Sequence, residues 1–474
     1  MVGEKAKEKQ TIGEVPDCQY LQEEAATLVK PNTTGASKGD VMYLSNLDTQ
    51  KFLRFSIKYL YVYKRCVDVE VFKSTLSRAL VEYYPLAGRL RSSSGSDGSS
   101  NLELDCSEEG ALFFEGKMDM TVEFFMDGIK KPNRSWKKLL YRIEGQSFVD
   151  VPPLVIQLTH LRCGGMILCM AISHAICDGI GTSQFLNAWA QLAVTPDAEI
   201  SLTDAAHLRR ILKPRSPPKI TASHLEFKVL NTGPEFDFDL LKWLVSQPLV
   251  PVSVTFTSAD VLRLKQQCVP SLKCTSFEAL ASHVWRIWIR SLVVLPYNLI
   301  VKLLFSVDVR SRLRPPLPTG YYGNGFVLGC ALATVENLVT WNLRQVIELI
   351  QEGKKRLDDD YVRSMVDLME ENRIIKPDLS ASLVISQWSK LGLENLDFGA
   401  GKPVHMGPLA SEVYCLFLPV VGDVNSFTVL LSVPENIAEE VEFGLKEVSG
   451  LTTASMEEDQ VESRRHFMGA LNNI

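Results

Sequence analysis

Residues 171–181 read Ala171-Ile172-Ser173-His174-Ala175-Ile176-Cys177-Asp178-Gly179-Ile180-Gly181. The apolar run from Met166 to Ile172 has the length of a buried strand and delivers the chain to His174. Glycines then mark a turn, and from about Thr182 to Ala193 the apolar residues recur at helical spacing. A strand running through a turn into a helix is the unit from which α/β and α+β folds are built. A histidine on that turn is well placed to face a cleft. Its ordinary pKa of about 6.5 suits proton abstraction at neutral pH. Asp178, four residues on, is placed either to orient the ring or to brace the turn. The spacing alone is weak evidence. A satisfied core histidine reads the same way, and a zinc site from His174, Asp178, Cys169 and Cys177 is a further reading, although the spacings match no standard zinc pattern. The one Gly-x-Ser-x-Gly pattern, Gly35-Ala36-Ser37-Lys38-Gly39, does not stand between an apolar strand run and a helical run, as a hydrolase elbow must.

Outward from this stretch, Pro153–Leu161 and Met166–Ile172 read as two strands joined at Cys163-Gly164-Gly165. Phe72–Tyr83 has helical spacing and stops at Tyr84-Pro85-Leu86-Ala87-Gly88-Arg89. Leu102–Cys106 alternates as a strand, and Arg91–Ser100, rich in Ser and Gly, reads as a loop. The start, up to about Lys30, reads as mobile. A basic, proline-bearing segment around Lys213-Pro214-Arg215-Ser216-Pro217-Pro218 reads as an extended linker. This divides the chain into 1–205 and 226–474, with a crossover over 206–225. The second half repeats the grammar. Helices are expected over Ser258–Gln267, capped by Thr257 or Ser258, over Ser276–Arg290, and over Glu435–Val448. Ser306–Arg310 reads as a strand end, and Leu383–Trp388, Glu412–Leu418 and Thr428–Val433 as strands.

The 474 residues, 46% hydrophobic and 22% charged, suffice for a large core, and the length favours two or three domains. A net charge of −6 argues against a nucleic-acid surface. The ten cysteines form no CxxC, which favours free thiols and a reducing compartment. The charged first residues lack the apolar region of a secretory signal. The most apolar stretch, Val284–Val307, is broken by Arg286, Arg290, Pro296, Asn298 and Lys302. No membrane span is expected, and the cytoplasm is the expected location.

Three further constellations stand out. Asn395 to Pro403 contains Asp397-Phe398-Gly399-Ala400-Gly401, a rigid turn that by itself is no more than a connection between strands. Ser386-Gln387-Trp388 ends a strand with a hydroxyl and an indole N–H, both suited to a developing oxyanion, though a core tryptophan beside an exposed serine fits equally. Asp308-Val309-Arg310-Ser311-Arg312 reads most simply as a structural ion pair.

Taken together, these motifs resemble the plant BAHD acyltransferase family from about Tyr43 to Gly444. The H-x-x-x-D-G motif stands at His174–Gly179, and Y-P-L-A-G-R at Tyr84–Arg89. Y-F-G-N stands at Tyr321–Asn324 with Tyr322 for phenylalanine, and D-F-G-W-G at Asp397–Gly401 with Ala400 for tryptophan. The resemblance implies two pseudo-symmetric, chloramphenicol-acetyltransferase-like domains. Each would be a mixed sheet flanked by helices, with a channel between them centred on His174. It implies a monomer with no metal, whose partners are small molecules: a coenzyme A thioester cosubstrate and an alcohol. His174 is implied as general base, Ser386 and Trp388 as oxyanion donors, and Asp178 as a brace against an arginine. Asp397 would pair with Arg310 or Arg312, with Phe398, Gly399 and Gly401 shaping its turn. Thr275 and Ser276 would contact coenzyme A. Ala400 is expected to alter fit or stability, not chemistry.

The run Tyr43-Leu44-Ser45-Asn46-Leu47-Asp48, with Arg162–Gly165 and Cys177–Gly181, looks most like members that move feruloyl-type hydroxycinnamoyl groups onto ω-hydroxy fatty acids or fatty alcohols, in cutin, suberin or wax synthesis. Two alternatives stand beside this reading: an alcohol acyltransferase using acetyl- or benzoyl-CoA, and a non-catalytic accessory factor of lipid synthesis.

Overall fold

The computed structural model describes residues 14–448, except 22–25, 34–38, 95–99, 129–130, 144, 146, 204–206, 233–238 and 412–413. Two mixed sheets dominate it. The first runs in the order Gln19–Tyr20, Ala111–Met118, Leu154–Leu161, Met166–Ser173, Ser56–Tyr63, His405–Pro408, with Thr27–Val29 also on Ala111–Met118. The second runs Leu249–Phe256, Asp423–Pro434, Cys415–Val420, Ser382–Gln387, Ile300–Asp308, Phe326–Thr334. Each combines antiparallel and parallel pairs: Ala111–Met118 is parallel to Leu154–Leu161, and Ser382–Gln387 is parallel to both its neighbours. A small three-stranded sheet holds Val41–Met42, Ser100–Asp105 and Arg89–Ser94.

The strands Leu154–Leu161 and Met166–Ser173 are buried almost throughout because both faces are covered, and the buried Gln157 and Thr159 bond to each other. Helices Val69–Glu82 and Gly179–Val194 cover one face through Phe72, Leu76, Leu80, Phe185 and Trp189, all buried. The second sheet is covered by Ser276–Ser291, Leu343–Lys355 and Asp359–Glu371, whose apolar stripes form the larger core.

The structure adjusts several boundaries. The helix after His174 begins at Gly179, not near Thr182, because the Asp178 side chain caps it by accepting from the Gly181 N–H. Part of the expected loop Arg91–Ser100 is hairpin: Arg89–Ser94 pairs with Ser100–Asp105, and 95–99 lie outside the described residues. Much of the start, up to Lys30, also lies outside them, yet Gln19–Tyr20 and Thr27–Val29 are strands. The expected strand from Glu412 begins at Cys415, with 412–413 undescribed, and the last helix is shorter, Ala438–Lys446. His405–Pro408, from the second half of the chain, is a strand of the first sheet, antiparallel to Ser56–Tyr63. The proline-bearing segment is tied down. Arg215 pairs with Asp367, and the N–H groups of Thr221 and Ala222 both donate to Ser364 Oγ.

Candidate active site

His174 stands at the end of the strand Met166–Ser173, and its backbone N–H donates to the Phe55 carbonyl at 2.9 Å. Phe55 and Phe326 flank the imidazole, with ring centroids at 5.3 and 5.7 Å. The side chain is surrounded by protein but keeps some exposure. Its Nδ1 lies 3.1 Å from Asn324 Oδ1. The orientation of that amide is set by its other end. Asn324 Nδ2 has two acceptors, the His174 carbonyl at 2.8 Å and Asp48 Oδ1 at 3.0 Å. Oδ1 must therefore accept, so Nδ1 carries the proton and Nε2 presents its lone pair. Among the described residues Nε2 has no hydrogen-bond partner. Burial holds the His174 pKa below the ordinary imidazole value, although the residue's own backbone, Asp178, Asn324 and Asp48 all favour the cation. The site thus holds a neutral imidazole with an open acceptor.

Asp48 anchors this arrangement from below. It is fully buried, accepts from the Asn324 backbone N–H at 2.9 Å, and takes the Ser45 N–H and hydroxyl on its other oxygen at 2.9 and 2.6 Å. Arg209, equally buried, lies 3.6 Å from it and donates to the Ile176 carbonyl at 2.7 Å. Reasoning from the sequence missed Asp48, Arg209 and the role of Asn324. The one available signal was that Asp48 and Asn324 fall inside two of the quoted motifs.

Asp178 does not touch the ring. Its carboxylate takes a two-pronged bond from Arg310 at 2.9 and 3.0 Å, plus the N–H groups of Gly181 and Gly325 at 2.9 and 3.0 Å. Arg310 also donates to the Tyr321 and Gly323 carbonyls. The Asp178 turn is thereby locked to the 321–325 loop that carries Asn324. Gly181 belongs to the same junction: a Cβ there would overlap the Tyr322 carbonyl oxygen.

The expected pairing of Asp397 with Arg310 or Arg312 is not present. Arg310 is taken by Asp178 and Asp308, and Arg312 donates to the Lys354 and Leu357 carbonyls. Asp397 folds back on its own turn, accepting from the Gly399 and Gly401 N–H groups at 2.8 and 2.9 Å. Both glycines have positive φ, 98° and 84°, which brings those amides round to the carboxylate. Phe398 plugs the turn into the first core, against Phe72 at 5.0 Å and Trp189 at 4.9 Å, and Ala400 is buried beside it.

Ser386 is half-buried near the end of Ser382–Gln387, and Trp388 is buried just beyond it. Neither is bonded to His174. The Trp388 ring packs on Tyr59 at 4.8 Å, and Leu391 accepts from Ser183 on the helix that follows Asp178. The segment therefore docks on the histidine-bearing half of the molecule. Thr275 caps Ser276–Ser291, but Glu278 already fills the helix start, and is itself held by Lys354 and Gln351 at 2.6 and 3.0 Å. That carboxylate occupies the place an anion would take; Thr275 is exposed and Ser276 half-buried. Among the described residues, no helix is long and apolar enough to cross a membrane, and no His, Cys, Asp and Glu side chains cluster as a metal site.

Residues 22–442 match the family model described as the Transferase family. The chain belongs to this BAHD acyltransferase family. It is 35% identical over 429 residues to the omega-hydroxypalmitate O-feruloyl transferase of Arabidopsis thaliana, covering 87% of this chain and 90% of that protein. It is 34% identical to the fatty alcohol:caffeoyl-CoA acyltransferase of Arabidopsis thaliana, covering 83% and 90%. The fold matches crystalline vinorine synthase with a TM-score of 0.69 at 19% identity, covering 91% of this chain and 98% of that one. The BAHD protein described here is accordingly an acyl-transferring enzyme.

Proposed function

We propose that the enzyme moves a feruloyl-type hydroxycinnamoyl group from coenzyme A to the hydroxyl of a long-chain ω-hydroxy fatty acid or fatty alcohol. The observation that carries the chemistry is the neutral His174, with Nδ1 pinned by Asn324 and Nε2 open. In this reading Nε2 takes the acceptor's hydroxyl proton as the oxygen attacks the thioester carbonyl. Ser386 Oγ–H and Trp388 Nε1–H donate to the tetrahedral oxyanion. The carbonyl reforms, the C–S bond breaks, and the imidazolium returns the proton to the departing thiolate. Asn324 favours the useful tautomer and, with its Nδ1 bond, steadies the imidazolium that forms. Asp178 with Arg310 braces the turn, and the Asp397 turn braces the scaffold through Phe398. Thr275 and Ser276 contact the amide-rich pantetheine arm in preference to a phosphate, since Glu278 already fills the helix start.

The choice of donor and acceptor is supported by the two relatives, whose names specify feruloyl and caffeoyl groups and long-chain acceptors. The same reading carries a division of the chain at 206–225, a cytosolic monomer and a channel reaching His174 from both sides. The test is product identification by mass spectrometry, with feruloyl-, benzoyl- and acetyl-CoA crossed against 16-hydroxypalmitic acid, hexadecanol and benzyl alcohol. The feruloyl ester of a long-chain acceptor should form fastest. A preference for acetyl or benzoyl transfer to short alcohols would overturn the substrate assignment. Silence across the whole matrix would favour an accessory role.

A further inference from the structure

The strand Ser56–Tyr63 runs antiparallel to Met166–Ser173, so Ser56 lies beside Ser173 and Tyr63 beside Met166. Cys66, three residues past Tyr63, is therefore at the opposite end of the sheet from His174, about 25 Å away at roughly 3.3 Å per residue. Its Sγ lies 3.2 Å from both His160 Nδ1 and the Val67 carbonyl, so the thiol proton has two acceptors in reach, and His160 Nε2 lies 2.8 Å from Glu115 Oε1. Glu115 and His160 stand on parallel neighbouring strands, and the Cys66 N–H is held by the Gly164 carbonyl at 2.8 Å. A carboxylate only accepts, so Nε2 carries its hydrogen toward Glu115 and Nδ1 turns its lone pair toward the thiol. This gives a nucleophile on a base and the base on an orienting acid, the arrangement that activates catalytic thiols. The place is also accessible: the His160 and Glu115 side chains are 31% and 17% exposed, and Cys66 is half-buried. Among the described residues no other cysteine is bonded to a histidine. Exposed Cys163 has only the Val122 N–H, at 3.4 Å.

We propose that Cys66, His160 and Glu115 form a thiol-activating triad, and that Cys66 is a reversible modification site for small aliphatic disulfides. In the exchange the Cys66 sulfur bonds to one sulfur of the reagent and the reagent's S–S bond breaks. The thiol proton passes through His160 Nδ1 to the leaving thiolate, so one thiol is oxidised and one is released. Burial and the Glu115 carboxylate push the free thiol up to about 11, so Cys66 rests protonated and depends on His160 to react. The ionised groups that raise it are Glu115 and Asp68, which favours a cationic reagent over an anionic one.

The full chain is treated with a small excess of cystamine or, separately, of anionic dithiodiglycolate. Each of the ten cysteines is then followed by peptide mass spectrometry. Cys66 should be modified first, faster by cystamine, and be restored by dithiothreitol. His160→Gln should slow Cys66 about tenfold or more and leave the Cys163 rate unchanged. Glu115→Gln, which keeps the size of the orienting group, should slow it less. Should His160→Gln alter the Cys163 rate or the melting temperature, the Glu115→Gln result decides. Earlier modification of Cys163, or a Cys66 rate indifferent to both substitutions, would overturn the proposal.

Discussion

Asp178→Asn is the perturbation that most directly tests how the two halves of the site are held together. The wild-type carboxylate accepts four bonds, two from Arg310 and one each from the Gly181 and Gly325 N–H groups. An asparagine keeps one accepting oxygen and turns an NH2 toward two donors. It also removes the charge opposite Arg310, whose remaining acid, Asp308, is 44% exposed and so compensates weakly. Breaking one partner out of a buried pair costs about 3–5 kcal/mol. With an unfolding entropy of roughly 2 cal/mol/K per residue, a chain of this length loses about 3–5 °C of melting temperature if it unfolds in one transition. The assay is calorimetry on Asp178→Asn, on Arg310→Gln and on the double variant. Once Asp178 is gone, removing Arg310 also removes an uncompensated charge, so the double variant should lose clearly less than the sum of the singles. Additive losses, or an Asp178→Asn melting point within 1 °C of wild type, would refute the brace.

The remaining predictions concern the base and its surroundings. Asn324→Ala should lower kcat about 10- to 100-fold with little change in KM, because it frees the imidazole tautomer without touching substrate. Activity of the wild type should fall on the acid side as His174 takes a proton, with a midpoint below the ordinary value of about 6.5 because burial lowers it. Asn324→Asp should move that limb to higher pH, a carboxylate on Nδ1 favouring the cation. His283 and His405 are pushed down to about 4 by burial. Below pH 6.5 the unfolded chain therefore binds protons that the folded chain refuses, and stability measured by urea melts should be full above about 6.5 and decline as pH falls toward 4. Gly181→Ala should lower both melting temperature and activity, since its Cβ meets the Tyr322 carbonyl, which belongs to backbone and yields only if the 321–325 loop moves.

What the sequence revealed and what it hid divide along contact distance. The strand, turn and helix around His174 were legible because hydrophobic period and glycine placement are local signals. The same holds for the cap at Thr257 or Ser258, which the structure places at Thr257 with an acid three residues on, whereas the Thr275 cap was not read. The helix start at Gly179 was misread because Gly-Ile-Gly looks like turn, and only the side-chain cap from Asp178 makes it helix. The tautomer of His174 could not be read locally, since it depends on residues 150 positions ahead and, through Asn324, 276 positions back. The expected Asp397 salt bridge failed for a related reason. Two positive-φ glycines let the carboxylate satisfy itself within its own turn, while of the two expected arginines Arg310 found a better-buried acid and Arg312 two backbone carbonyls.

The most direct test of the account is the rate of free coenzyme A thiol release from feruloyl-CoA, with and without 16-hydroxypalmitic acid, by wild type and by His174→Ala at matched melting temperature. Acceptor-dependent release by wild type, reduced about 10²–10⁴-fold in the variant, is the predicted result. Release that persists in His174→Ala would contradict the assignment of the base.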